Sequence, residues 1–154
     1  MIHTVLCDFN DPDHVRAFLD LLRHYMDDPM GSSTPHSMEK EAELIEALSS
    51  MPHAFVMLAH DTDTYVGMAT CFVSYSTFAV APVVNIHDIV VLSQERGKGI
   101  GRELLRSISA VADELGCSKI TLEVRIDNPV AQALYRSEGF EDCEPPMMFW
   151  RKPL

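Results

Sequence analysis

The patterning of this chain predicts a mixed α/β unit built on a mostly antiparallel sheet, and three observations carry that expectation. Apolar residues recur at helical spacing through the first 50 residues, and from residue 54 the pattern changes to apolar runs and alternation. The connections between those runs are too short for crossover helices, so the strands return as a meander. Finally, the apolar strand Asn85–Leu92 passes through Ser93-Gln94-Glu95 into the glycine loop Arg96-Gly97-Lys98-Gly99-Ile100-Gly101, and that loop opens a helix at Arg102-Glu103-Leu104-Leu105.

Residues 1–7 read as a short strand. Asp11 is placed to cap a helix with Pro12 at its first position, and Val15, Phe18, Leu19, Leu22 and Met26 recur along one face of it. Asp27-Asp28-Pro29-Met30-Gly31-Ser32-Ser33-Thr34-Pro35 breaks the pattern and reads as a loop. Ser37 can cap a second helix, with Ala42, Ile45 and Leu48 on one face and Pro52 as its stop. Ala54–Ala59 is an apolar strand, Asp61-Thr62-Asp63-Thr64 a turn, and Tyr65–Phe78 a long strand containing Gly67. Pro82 precedes the strand Val83–Leu92. The helix after the glycine loop runs to about Leu115 with Leu104, Leu105, Ile108, Val111 and Ala112 inward, and Gly116 ends it. Ile120–Val124 forms another strand, Asn128–Ser137 a last helix stopped by Gly139, and Met147–Trp150 a final strand. No repeat or linker interrupts the order, so residues 1–154 are read as one domain.

Composition narrows the function classes. A hydrophobic share of 47% is ordinary for a globular protein, and no stretch approaches the ~20 apolar residues of a membrane span. The opening Met-Ile-His-Thr-Val-Leu-Cys-Asp has no basic start or long apolar core, so no signal peptide and no membrane partner are expected. Cys7, Cys71, Cys117 and Cys143 are scattered without a Cys-x-x-Cys pair, which fits thiols in a reducing cytoplasm. Seven histidines show no ligand spacing, so no metal is implied. The formal charge of −11 disfavours nucleic acid and leans toward cationic small molecules.

The glycine loop points several unpaired backbone N–H groups at one spot, with the positive end of a helix dipole behind them, and that spot suits a phosphate. A P-loop needs a hydroxyl after its lysine, but Gly99 follows Lys98. A dinucleotide loop needs Gly-x-Gly-x-x-Gly after the first strand of a βαβ unit, whereas here the glycines fall at 97, 99 and 101 and antiparallel strands come first. Three glycines in five positions also lower helix stability, by roughly 1 kcal/mol each where they are helical, which points to close backbone approach by a ligand.

Arg96-Gly97-Lys98-Gly99-Ile100-Gly101 resembles the acyl-CoA pyrophosphate loop of the GNAT family of N-acetyltransferases, whose pattern is Gln or Arg, two free positions, Gly, one free, then Gly or Ala. The preceding Ile89-Val90-Val91 looks like that family's fourth strand. Asp127-Asn128-Pro129 through Leu134-Tyr135, ending in Glu138-Gly139-Phe140, looks like its closing motif. The resemblance covers nearly the whole chain and weakens over the first 50 residues. It implies a GNAT-like domain with a sheet of six to seven strands and about four helices.

The resemblance also implies roles. Backbone groups of Ile89, Val90 and Val91 would hold the pantetheine arm. The amides of Arg96, Gly97, Lys98, Gly99, Ile100 and Gly101 would grip the pyrophosphate, with the Arg96 and Lys98 side chains assisting. Asn128 and Tyr135 lie seven residues apart, nearly two turns, so both can contact one extended ligand; a helix cap and a core-edge phenol are the alternative. Tyr135, with an ordinary pKa of about 10, is the candidate general acid for the departing thiolate.

His87 is the candidate general base, beside Asp88, Glu123 or a bound water, and strand alternation allows only one of His87 and Asp88 to face the cleft. Substrate contacts are expected from Tyr25 and Asp28 after the first helix, from Phe72 and Tyr75 on the long strand, and from Asp88 and Glu123. The expected activity is transfer of acetyl from acetyl-CoA to a primary amine of a small cationic molecule, by direct attack in a ternary complex. The alternatives are a non-catalytic acyl-CoA-binding module and, less well matched, a dinucleotide oxidoreductase. A homodimer is the family's habit, and Phe149 and Trp150 are candidates either for that contact or for closing the core.

Overall fold

The computed structural model describes residues 1–31 and 33–154, so Ser32 of the expected loop lies outside the described residues. The elements run β1 (Ile2–Leu6), α1 (Pro12–Asp27), α2 (Met38–Ser50), β2 (Ala54–Asp61), β3 (Thr64–Ser76), β4 (Ala81–Val91), a 3-10 turn (Ser93–Glu95), α3 (Ile100–Glu114), β5 (Lys119–Leu122) and α4 (Pro129–Ser137). The strands form one sheet in chain order. Three antiparallel pairings build β1 to β4, and β5 joins β4 in parallel through α3.

The caps follow from the sequence. The Asp11 side chain accepts from the Asp13 N–H at 2.8 Å, with Pro12 at the first helical position. Ser37 caps α2 through the Lys40 N–H. The inward face of α2 differs from the expected one. Leu44, Ile45 and Leu48 pack inward while Ala42 is exposed, because Glu41 is turned in to bond the Arg23 guanidinium of α1.

Two apolar layers flank the sheet. Ile100, Leu104, Leu105, Ile108 and Ala112 of α3, with Tyr135 of α4, pack on Met57, Ala69, Val84 and Ile86. On the other face Ala17, Phe18 and Leu21 of α1 and Leu48 of α2 pack on Val56, Leu58, Met68 and Val90. Burying both faces explains why the central strands read as apolar runs.

Two strand expectations are corrected. Val124 and Glu123 lie beyond β5, which stops at Leu122. No strand forms at Met147–Trp150, so among the described residues the sheet has five strands where six to seven were expected. Pro145 and Pro146 remove two backbone donors directly before that segment, which discourages ladder pairing. Phe149 and Trp150 therefore do not close the core; Trp150 is 79% exposed. No helix among the described residues is long and apolar enough to cross a membrane.

Candidate active site

β4 and β5 are paired only from Val83 to Ile86 against Lys119 to Leu122. Beyond Ile86, β4 continues to Val91 without β5 beside it, and a cavity of about 700 Å³ opens in the gap. Its walls contain Ile89, Val90 and Val91 of β4, then Arg96, Gly97, Gly99, Ile100 and Gly101 of the loop. Asn128 and Tyr135 of α4 close one side, and Tyr25, Asp28, His87 and Glu123 border it as well. Residues from α1, β4, the glycine loop, the segment after β5, and α4 thus meet at one opening.

The loop end of the cavity is built from backbone. Gly97 and Gly99 have φ of +81° and +85°, a left-handed conformation that side-chain-bearing residues rarely adopt, and a Cβ at either position would meet open space. Gly99 is the N-cap of α3 and no side chain caps it. The first amides of α3 therefore have no side-chain cap beside open space, an arrangement suited to an anion such as a phosphate group. The basic side chains nearby are committed elsewhere. Arg96 Nη2 donates to Asp28 Oδ2 at 2.6 Å and its Nε donates to the Val91 carbonyl, while Lys98 Nζ pairs with Glu95 at 2.7 Å. Lys98 is not part of the cavity wall.

The Asp28–Arg96 pair holds the end of α1 against the loop, and the Arg96 guanidinium keeps the Asp28 carboxyl below the usual carboxylate range. His24 reinforces the same junction, its Nε2 accepting from the Ser93 N–H at 3.2 Å. No local pattern announces this His24–Ser93 tie, since the partners are 69 residues apart. Asp28 is thus engaged with the loop rather than open to an ammonium group.

At the other end Tyr135 is buried beneath the cavity, its ring against Phe140. Burial, with a smaller push from Tyr25, raises its pKa to about 12, so the phenol keeps its proton at neutral pH. Tyr25 is shifted upward too, first by burial and then by Asp88 and Asp28, while Arg125 opposes the shift. Asn128 Oδ1 accepts from the Ala131 N–H at 3.2 Å, so its amide is a helix cap that also faces the cavity.

A β-bulge changes the expectation for His87 and Asp88. Thr70 pairs with Asp88 and Cys71 with Ile86, which leaves His87 as the extra residue. His87 lies edge-on to Phe72 at 5.6 Å, and Phe72 packs on the α1 side of the sheet. Asp88 lies two residues before Val90, which packs on that same side. Both residues therefore face α1, and the alternation rule fails at this point. Phe72 and Asp88 stand behind the cavity wall rather than in it, and Tyr75, 61% exposed near the far end of the β3–β4 hairpin, is not brought to the site. Arg125 lines the cavity as well and is oriented by a two-pronged pair with Asp127 at 2.8 Å.

The family model for the acetyltransferase (GNAT) family matches residues 18–140. The chain belongs to that family. Among curated relatives, the Bos taurus thialysine N-epsilon-acetyltransferase is 35% identical over 77 residues, covering 50% of this chain and 45% of that protein. A Stenotrophomonas maltophilia aminoglycoside N(6')-acetyltransferase type 1 is 32% identical over 74 residues, 48% of either chain. The chain spans 34% to 58% of the length of the first curated relatives it matches. The GNAT fold is shared with the crystal structure of an aminoglycoside acetyltransferase from an uncultured soil metagenomic sample, at a TM-score of 0.83, 20% identity, and coverage of 99% and 97%. Among the described residues no cluster of side chains suits a metal ion.

Proposed function

We propose that this protein transfers the acetyl group of acetyl-CoA to a primary amine of a small cationic molecule, both substrates being bound together. One observation carries the reading: a single cavity joins an anion-binding backbone loop to a buried, protonated phenol at Tyr135. The names of the relatives agree, because thialysine and aminoglycosides both present amines.

In this reading acetyl-CoA supplies an acyl group activated as a thioester. The amides from Gly97 to Gly101 bind its diphosphate, and the unpaired edge of β4 at Ile89 to Val91 orients its arm. Asn128 and Tyr135 border the arm from α4. Tyr135 Oη holds a proton that a leaving thiolate needs, and burial keeps that proton in place at neutral pH. Tyr25 and Glu123 contribute the polar walls of the acceptor side, and His87 or Asp88 receives the amine's proton.

The test is thiol release from acetyl-CoA against a panel of polyamines, amino acids, aminoglycosides and lysine peptides. Release with at least one amine is expected. Tight acetyl-CoA binding without release on any of them would favour a non-catalytic acyl-CoA-binding module. The same reading places the protein in the cytoplasm, in keeping with four unpaired cysteines. A homodimer contact through the exposed Phe149 and Trp150 belongs to it too, checked by light scattering of the wild type against a Trp150→Ala variant.

A further inference from the structure

Thr70 sits in the middle of β3, directly opposite Asp88 on β4. Residues so placed have Cβ atoms about 5 Å apart, within reach of a hydroxyl and a carboxylate. Thr70 is only 4% exposed, and among the described residues its Oγ1 is the buried side-chain oxygen that satisfies no hydrogen bond. An orphan buried hydroxyl is costly, and one beside a functional cavity suggests a partner that engages in another protonation or ligand state. Its neighbours along the same face, Met68 and Phe72, offer no polar group. The carboxylate of Asp88 is the group across from it.

Asp88 is partly exposed, immediately behind the wall made by His87, Val90 and Tyr25. Burial pushes its carboxyl above the ordinary carboxylate range; His87 opposes that push, and so, more weakly, does the Thr70 hydroxyl, which lies beside the carboxyl without completing a hydrogen bond. A carboxylate of this kind is a stronger base than a solvated one. The bulge at His87 is what turns it toward α1, the side from which an acceptor would approach past Tyr25.

We propose that Asp88 accepts the proton of the acceptor ammonium and that Thr70 is the positioning residue that holds the Asp88 carboxyl group for it; this rests on the acetyltransferase reading above. The step is a balanced proton transfer: the ammonium N–H bond breaks, its electron pair stays on nitrogen as the nucleophilic lone pair, and the proton binds an Asp88 carboxylate oxygen. Threonine suits both states, since its hydroxyl donates to the carboxylate and accepts from the carboxylic acid. The ionisable groups that act on Asp88 are His87 on its own strand, Cys71 on β3 and Tyr25 on α1, and Tyr25 in turn interacts with Asp28, Arg125 and Tyr135. His87, set edge-on against Phe72, forms the acceptor wall in this arrangement.

The experiment combines a carboxyl-carbon NMR titration of Asp88 with the pH dependence of kcat/KM for an accepted amine, in wild type, Thr70→Val, Thr70→Ser and Asp88→Asn. Thr70→Val is expected to raise both the NMR midpoint and the acidic limb by about half a pH unit or more, because a donor to the carboxylate is lost. Thr70→Ser leaves both in place, and the KM for acetyl-CoA does not change. Asp88→Asn abolishes the acidic limb, while His87→Asn keeps a limb and moves it upward, because the imidazolium charge that favours the ionised Asp88 carboxylate is lost. A purely structural Thr70 predicts the opposite pattern: an unmoved titration and a Thr70→Val protein of equal or higher Tm. An NMR midpoint that stays put in Thr70→Val overturns the role of Thr70 whether or not turnover is seen. An acidic limb that survives in Asp88→Asn but vanishes in His87→Asn overturns the role of Asp88. Failure of the wild type to release thiol with any amine defeats the acetyltransferase reading itself, and Asp88's role with it.

Discussion

The two ends of the cavity are built in opposite ways. The loop end is backbone: consecutive amides from Gly97 to Gly101, set by two left-handed glycines and the start of α3, with its basic side chains tied to carboxylates. The other end is side chain: Tyr25, His87, Glu123 and Tyr135 arrive from four separate stretches of sequence, with Asp88 behind them. A backbone site needs a particular path of the chain and tolerates changes in the side chains it does not use. A side-chain site needs particular groups and tolerates no substitution of them. The loop end should therefore be sensitive to φ, and the other end to chemistry.

The largest expected effect tests the chemical end. Tyr135→Phe removes one oxygen from a buried ring and leaves its packing on Phe140 in place. Turnover is expected to fall by about 10²- to 10⁴-fold, the usual worth of a positioned general acid, with acetyl-CoA affinity unchanged. Equal turnover in the two proteins would remove the acid role. Gly99→Val tests the backbone end. A β-branched residue at φ +85° is strained by ~1–2 kcal/mol, and its side chain would project into the space before the loop. Together these should weaken acetyl-CoA binding roughly 100-fold by calorimetry, an effect of ~3 kcal/mol. Binding within a few-fold of wild type would mean that the diphosphate lies elsewhere.

The same contrast decides how much of the molecule could be read in advance. The glycine loop, the helix caps at Asp11, Ser37 and Asn128, and the apolar face of α3 are local, because each depends on residues within a few positions of one another. The His87 bulge is not local. It depends on the register between β3 and β4, and a single extra residue put both His87 and Asp88 on the face that alternation had allowed to only one of them. Tyr75 failed as a wall residue for a related reason, since its distance along the hairpin from the gap depends on how far β4 runs before β5 leaves it. The missing final strand is a conflict between composition and context: Met147 to Trp150 are apolar enough for a strand, but the paired prolines before them work against a ladder.

Smaller effects sharpen the junction between the two ends. Asp28→Asn removes the ion pair to Arg96, in which the Asp28 side chain is 8% exposed and that of Arg96 49%. With half of the pair in solvent, a loss of roughly 0.5–1 kcal/mol is expected at neutral pH. The sign with pH is fixed by the depressed carboxyl. Its stabilisation is complete above the unfolded carboxylate pKa of about 3.9 and fades as pH falls through the lower folded value. Thermal melts of wild type and Asp28→Asn should thus differ at pH 7 and converge in strong acid. A gap that persists unchanged at about pH 2 would show that the carboxylate's charge is not what matters.

The smallest effect discriminates most finely between a backbone grip and a charged one. Lys98 occupies the middle of the loop, so a diphosphate held by side-chain charge should depend on it heavily. Yet its ammonium pairs with Glu95, lies 58% exposed, and borders no part of the cavity. An exposed pair of that kind contributes ~0.5 kcal/mol, so Lys98→Ala should shift the Kd for acetyl-CoA only about twofold. Because the replacement keeps every amide in place, its effect should shrink further as salt is added, whereas the loss in Gly99→Val should persist. A tenfold or greater loss in Lys98→Ala, abolished by salt, would reverse the assignment and make the loop end a side-chain site as well.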